Sequence, residues 1–225
     1  MSDRLAGKAV LVTCADAYMG PAIAALFEAE GADVIADTDP LTHPDAPDEL
    51  IARCGPLDIV VANTDLPAYG ANTVDIEDGP WLEGFDAMVH PLMRIVRAAA
   101  PAMIERGCGS IVAMTSSSPL RRMKPHAIAY VTARAAQNAF VRSAGHDLAR
   151  HGIRLNAIAQ NFVANDTYYP PEVLENPRFI ARVDNEIPAK RVGDPAETAE
   201  LALFLASDKA SFIYGQVISQ DGGWS

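Results

Sequence analysis

The sequence predicts an α/β fold: a single doubly wound, Rossmann-like domain over residues 1–225, with a parallel sheet covered by helices on both faces. Short apolar runs rich in β-branched residues recur along the chain, and longer segments of helical periodicity alternate with them. With 49% apolar and 21% charged residues, 225 residues suffice for one layered core. Strands buried on both faces read as continuous apolar runs rather than alternating ones, and that marks the sheet as parallel.

The first run, Ala9 to Cys14 (AVLVTC), is a strand, and a helical pattern opens near Gly20 with AIAALFEAEGA. Gly31 stands at the position of a helix C-cap, and a second strand from Asp33 to Ala36 ends at Asp37, completing a βαβ unit. Further strands are read at Asp58 to Ala62 (DIVVA), Ser110 to Met114 (SIVAM), Leu155 to Ala159 (LNAIA) and Gln216 to Ser219 (QVIS). Helical patterns cover about 80–106, 129–150 and 195–206. The segment Gln160 to Pro177 lacks periodicity and is read as a lid or a binding loop. Sheets of this kind bind ligands beyond the carboxyl ends of their strands, so the residues after Val12, Ala62, Met114 and Ala159 are expected to line one site.

Composition excludes several classes of function. Eighteen basic and 29 acidic residues leave a net charge of −11, which opposes binding to nucleic acid or to an anionic membrane surface. Cys14, Cys54 and Cys108 form no CxxC pair, and His90, His126, His146 and His151 show no ligand spacing, so neither a disulfide framework nor a metal site is expected. The six-residue apolar stretch near the start is too short for a signal peptide or a membrane span, which gives a cytoplasmic reading. GxSxG and Walker A motifs are absent.

Five segments in order, VTCADAYMG, VVANTD, SIVAMTSSS, AYVTAR and GQVISQDGG, resemble the short-chain dehydrogenase/reductase superfamily across nearly the whole chain. The chain departs from that pattern in two places. A dinucleotide fold needs glycines after the first strand so that backbone can approach the pyrophosphate. In register with the usual TGxxxGxG, Cys14 takes the first glycine position and Tyr18 the second, and only Gly20 remains. The Tyr18 phenol then projects into the volume where a nicotinamide dinucleotide ordinarily lies, so no cofactor is expected. The second departure replaces the lysine of Tyr-x-x-x-Lys, giving Tyr130 and Arg134. Spacing of four puts them on one helix face, and a fixed positive charge beside a phenol favours its ionised form. Ser117 precedes Tyr130 by 13 positions, the separation the superfamily uses, with Ser116 and Ser118 as competitors.

Ser117, Tyr130 and Arg134 beside a blocked glycine loop resemble a halohydrin dehalogenase. The stretches ADAYMG, VHPL, Gln160-Asn161-Phe162, LALFLASD and DGGW look most like the B-type members. The resemblance makes Tyr130 the base on the substrate hydroxyl, with Ser117 positioning that oxygen and Arg134 easing ionisation of the tyrosine. The alkoxide displaces the vicinal halide and closes an epoxide, with no redox cofactor. The resemblance also implies a halide site where the nucleotide would have been, formed by the backbone N–H groups of Gln160, Asn161, Phe162 and Val163 and by the aromatic edges of Phe162, Tyr169 and Tyr18. Reversal would let cyanide, azide or nitrite open epoxides. A homotetramer associating through its two long helices is implied as well.

Two readings compete. Asp37, at the end of the second strand, is where an NAD enzyme binds adenine ribose, which keeps an NAD(P)-dependent oxidoreductase with a Tyr-x-x-x-Arg site in play; a catalytically silent binder is the third possibility. Asn63 is read as a structural turn residue. Met88 stands where reductases carry the asparagine of a proton relay, and Trp224 is expected to pack on this chain or a neighbour.

Overall fold

The strands form where the apolar runs predict them, and β4 and β5 end at one cleft. In the computed structural model, which describes residues 3–64, 71–121 and 127–225, these are β1 (Ala9–Val12), β2 (Asp33–Ala36), β3 (Ile59–Asn63), β4 (Gly109–Ser116), β5 (Ile153–Gln160) and β6 (Val217–Gln220). They make one sheet in the order β2-β1-β3-β4-β5-β6, and every neighbouring pair is parallel. The switch in strand order between β1 and β3 opens the crevice in which such sheets bind ligands.

Alternate strand residues feed two cores. Val10, Val12, Val112, Met114 and Ile158 face α1 (Gly20–Ala29) and α8 (Pro195–Ala206). Leu11, Ile111, Ala113, Leu155 and Ala157 face α2 (Ala46–Cys54), α4 (His90–Arg106) and α5 (Ile128–Ala149). Burial on both faces is why these strands read as unbroken apolar runs. A third apolar cluster, Phe162, Phe179, Val183, Ile187 and Trp224, lies outside the sheet and supports the loop after β5.

The helix expected at 80–106 is broken. It consists of α3 (Asp78–Gly84), a π-helical turn (Phe85–Val89) and α4. Pro91 has no N–H to give the preceding turn and its ring crowds that turn's carbonyl, so the chain widens there before the regular helix resumes. Two helices escaped the sequence reading besides the short α6 (Pro171–Leu174): α2, and α7 (Pro177–Glu186), which starts where the aperiodic segment was expected to end. No helix among the described residues is long and apolar enough to cross a membrane. No group of three or more His, Cys, Asp or Glu residues among them is placed to hold a metal ion. Asp65 and His126 lie outside the described residues.

Candidate active site

Four chain segments meet at the carboxyl edge of the sheet. The first is the turn from β1 into α1, where Cys14 and Tyr18 adopt left-handed backbone angles, φ 50° and 53°. These are the two positions at which the motif calls for glycine, so the turn keeps a glycine-type backbone while carrying side chains. A non-glycine residue held there costs about 1–2 kcal/mol. Asn63, at the end of β3, holds the turn by donating from Nδ2 to the carbonyls of Cys14 (3.0 Å) and Ala17 (3.1 Å). Its reading as a structural turn residue fits this contact. Gly20 cannot be replaced, because a Cβ there would collide with the carbonyl oxygen of Cys14 and the backbone of Ala15.

The second segment is the end of β4. Ser116 Oγ accepts from the Ser118 N–H (3.1 Å) and donates to Ser118 Oγ (2.9 Å). In that polarity the Ser118 hydroxyl keeps its own proton to give elsewhere. Ser117 is placed differently from its expected role. It is fully buried, its Oγ has no partner among the described residues, and it does not line the cavity described below, whereas Ser118 does. Counting 13 residues back from Tyr130 fixes a distance along the chain but not which way each side chain leaves the strand end.

α5 supplies Tyr130 and Arg134. The Arg134 guanidinium carbon lies 5.2 Å from the centroid of the Tyr130 ring. Arg134 is buried, and its Nη1 donates to the carbonyls of Thr64 and Met114 (3.2 Å each) and to Gln137 Oε1 (2.8 Å). Gln137 Nε2 in turn donates to Thr64 Oγ1 (2.9 Å) and to the Met88 carbonyl (2.8 Å). The arginine is therefore a fixed charge built into the floor, and Gln137 couples it to the π-helical turn. Sequence reasoning missed Gln137, since a glutamine in a helix reads as solvated until its burial is known. Asn138 holds the strand end by donating to the Ser116 carbonyl (3.1 Å).

The fourth segment follows β5. Phe162 takes a left-handed φ of 54°, which turns the chain at the base of the cleft. Asn165 then shapes the loop: its Nδ2 donates to the Val163 carbonyl, and its Oδ1 accepts from the N–H groups of Thr167 and Tyr168. The expected nest of four backbone donors is reduced by these bonds. The Asn161 N–H is bound to the Gln220 carbonyl and the Phe162 N–H to the Oδ1 of Asn161. Val163 keeps an N–H that meets no acceptor among the described residues.

Together these segments enclose a cavity of about 160 Å³ lined by Tyr18, Ser118, Tyr130, Arg134, Gln160, Asn161, Phe162, Val163 and Tyr169, and further by Thr115, Ala127, Asn165, Tyr168, Arg182 and Trp224. Every site residue expected from the sequence except Ser117 is brought to this one space. Its volume is below the roughly 300–1,000 Å³ of a typical drug-sized ligand site, so it suits a molecule of a few carbons. Aromatic rings form much of the wall: Tyr168 lies 5.6 Å from Tyr18 and 6.5 Å from Tyr130, and Tyr169 stacks on Phe162 at 5.7 Å.

The residues present do not fit a dinucleotide. The phosphate turn carries Cys14 and Tyr18 where backbone would have to approach the ligand, and Arg134 is tied into the floor. The strand order also has one strand fewer on the β2 side than the 3-2-1-4-5-6 arrangement of full dinucleotide folds. Asp37 is occupied by Arg53 at 2.9 Å, and Arg53 also reaches Asp39 at 3.1 Å. Burial and then the neighbouring Asp39 charge raise the Asp37 carboxyl above the ordinary range, with Arg53 opposing.

A family model described as enoyl-(acyl carrier protein) reductase matches residues 38–225. The 2-keto-3-deoxy-L-fuconate dehydrogenase of Xanthomonas campestris pv. campestris is 29% identical over 252 aligned positions, which span 100% of this chain and 82% of that protein. A solved structure titled as a dehalogenation enzyme superposes with a TM-score of 0.91 at 30% identity, covering 98% of this chain and 99% of its own. A halohydrin dehalogenase bound to ethyl (2S)-oxiran-2-ylacetate gives a TM-score of 0.88 at 26% identity, covering 96% of each chain.

Proposed function

The chain belongs to the short-chain dehydrogenase/reductase superfamily, and from that premise we propose that it is a halohydrin dehalogenase, a lyase that closes vicinal halohydrins to epoxides without a redox cofactor. The observation that carries the reading is Tyr18, a phenol on a glycine-type turn that lines the same small cavity as Tyr130 and Arg134. The likeness to a solved dehalogenation enzyme and to an epoxide-bound halohydrin dehalogenase supports the reading.

In this reading Tyr130, acting as its phenolate, takes the proton of the substrate hydroxyl, with the fixed charge of Arg134 beside its ring. Ser118, backed by Ser116, donates to the same substrate oxygen. The alkoxide attacks the adjacent carbon from the side opposite the halogen; a C–O bond forms as the carbon–halogen bond breaks, and the halide leaves with the electron pair. The proton passes from Tyr130 to solvent, so the products are epoxide, halide and one proton. The Val163 N–H and the edges of Phe162 and Tyr169 offer the departing anion positive partial charge. By reversal, cyanide, azide or nitrite would open an epoxide in the same site.

The test is incubation with 1,3-dichloro-2-propanol or its bromo analogue with no added cofactor. Halide release with stoichiometric acidification is expected. Absence of halide, together with thermal stabilisation by NADH or NADPH, would favour the second reading, a nicotinamide-dependent oxidoreductase with a Tyr-x-x-x-Arg site. The dehydrogenase name of the sequence relative and the position of Asp37 speak for that alternative.

A further inference from the structure

The cavity is cationic in an acidic protein. Net charge over the chain is −11, yet the described lining residues include Arg134 and Arg182 and neither Asp nor Glu. Arg182, on α7, stands at the mouth: its guanidinium carbon is 5.0 Å from the Phe162 ring centroid and its side chain is 48% exposed. Its contact with Glu186 runs through Nε at 3.4 Å, longer than the usual charge-assisted hydrogen bond, and its two Nη groups meet no acceptor among the described residues. A planar guanidinium held over an aromatic ring, half in water, is suited to a carboxylate.

Contacts between rings lead from the base to this group. Tyr130 meets Tyr168 (6.5 Å), Tyr168 meets Tyr169 (6.2 Å), Tyr169 stacks on Phe162 (5.7 Å), and Arg182 covers Phe162. Tyr130 and Arg182 line the same cavity, so a substrate whose carbinol meets Tyr130 shares that space with the Arg182 guanidinium.

We infer that the preferred substrates carry an anionic terminus: short vicinal halohydrins or epoxides whose chain ends in a carboxylate, bound by Arg182. This rests on the dehalogenase reading and adds Arg182 as the residue that sets substrate charge. A cleft of one sign raises the local concentration of the opposite charge, and the effect fades with ionic strength.

The experiment compares halide release from 4-chloro-3-hydroxybutanoate with release from its uncharged, nearly isosteric amide, in wild-type enzyme, Arg182→Gln and Arg182→Lys. Wild-type enzyme is expected to favour the carboxylate in kcat/KM. Arg182→Gln is expected to lower that carboxylate-to-amide ratio about five- to tenfold, through KM, and Arg182→Lys to restore part of it. Raising ionic strength from about 0.02 to 0.5 M should shrink the wild-type ratio, a readout that needs no variant to fold. A ratio that ignores both substitution and salt overturns the inference. So does equal loss for both substrates with weakened inhibition by bromide, which would assign Arg182 to the halide. Halide from neither compound and none from 1,3-dichloro-2-propanol would instead remove the dehalogenase reading and this inference with it.

Discussion

Arg134 lies one helical turn beyond Tyr130 and covers its ring at 5.2 Å, while its Nη1 is fastened to three acceptors in the floor of the cleft. In the proposed reaction the pair divides the work: the phenol takes the proton, and the guanidinium is held still beside it. Tyr130→Phe is expected to lower halide release about 10²–10⁴-fold with the far-UV spectrum unchanged. Arg134→Lys keeps the charge but cannot serve the same acceptors. A thermal midpoint lower by roughly 4–8 °C, about 2 kcal/mol, is expected in addition to a slower rate. Calorimetry on the two variants checks the division, because Tyr130→Phe should leave the midpoint close to wild type.

The three serines at the end of β4 are distinguishable. Ser118→Ala is expected to cut kcat at least tenfold. Ser117→Ala, which removes a buried hydroxyl with no partner among the described residues, should leave the rate within about twofold and cost little stability. Ser116→Ala should act through Ser118, with an intermediate loss of rate. Steady-state kinetics that ranked Ser117 first would return the positioning role to it.

Tyr18→Gly sets two effects of similar size against each other. The left-handed backbone is relieved by about 1 kcal/mol, and the ring contact with Tyr168 is lost at about 1 kcal/mol. Stability is expected to change little while turnover of small halohydrins falls, since a wall of the cavity has gone. Urea titration and halide assay read the two separately.

Acid tests the start of α8. Glu197 closes a capping box with Asp194, and its carboxyl is held down at about 2, first by the hydrogen bond from Arg191 and then by the Asp194 N–H. Folding thus favours the ionised form. The gain is complete above the usual glutamate value near 4.5 and disappears as pH falls toward 2. Because the pair is exposed, the contribution is under about 1 kcal/mol. Urea midpoints at pH 5 and pH 2.5 should differ less in Glu197→Gln than in wild type.

β1, β3, β4 and β5 were legible because double-sided burial writes itself as nearly uninterrupted apolar runs, and the edge strands β2 and β6 because their short apolar runs follow a helix or a loop in the βαβ order. α7 was not legible: PRFIARVDNE shows only Phe179 and Val183 to the core, too sparse a stripe to stand out beside a loop. The cavity was readable residue by residue at Tyr18, Tyr130, Arg134 and 160–163, where types depart from a known motif. Gln137 and Arg182 were hidden, and Ser118 was named only as a competitor of Ser117, for a common reason. Each is a polar residue whose role comes from direction and burial, and neither is encoded by spacing along the chain.

The turn from Cys14 to Tyr18 carries a broader consequence. Its main chain follows a path suited to residues without side chains, although both positions bear them, so at this turn the backbone is kept and only side-chain atoms differ. If the proposed function holds, an engineer wishing to retrofit nicotinamide binding would trim these two residues first and leave the loop's path alone.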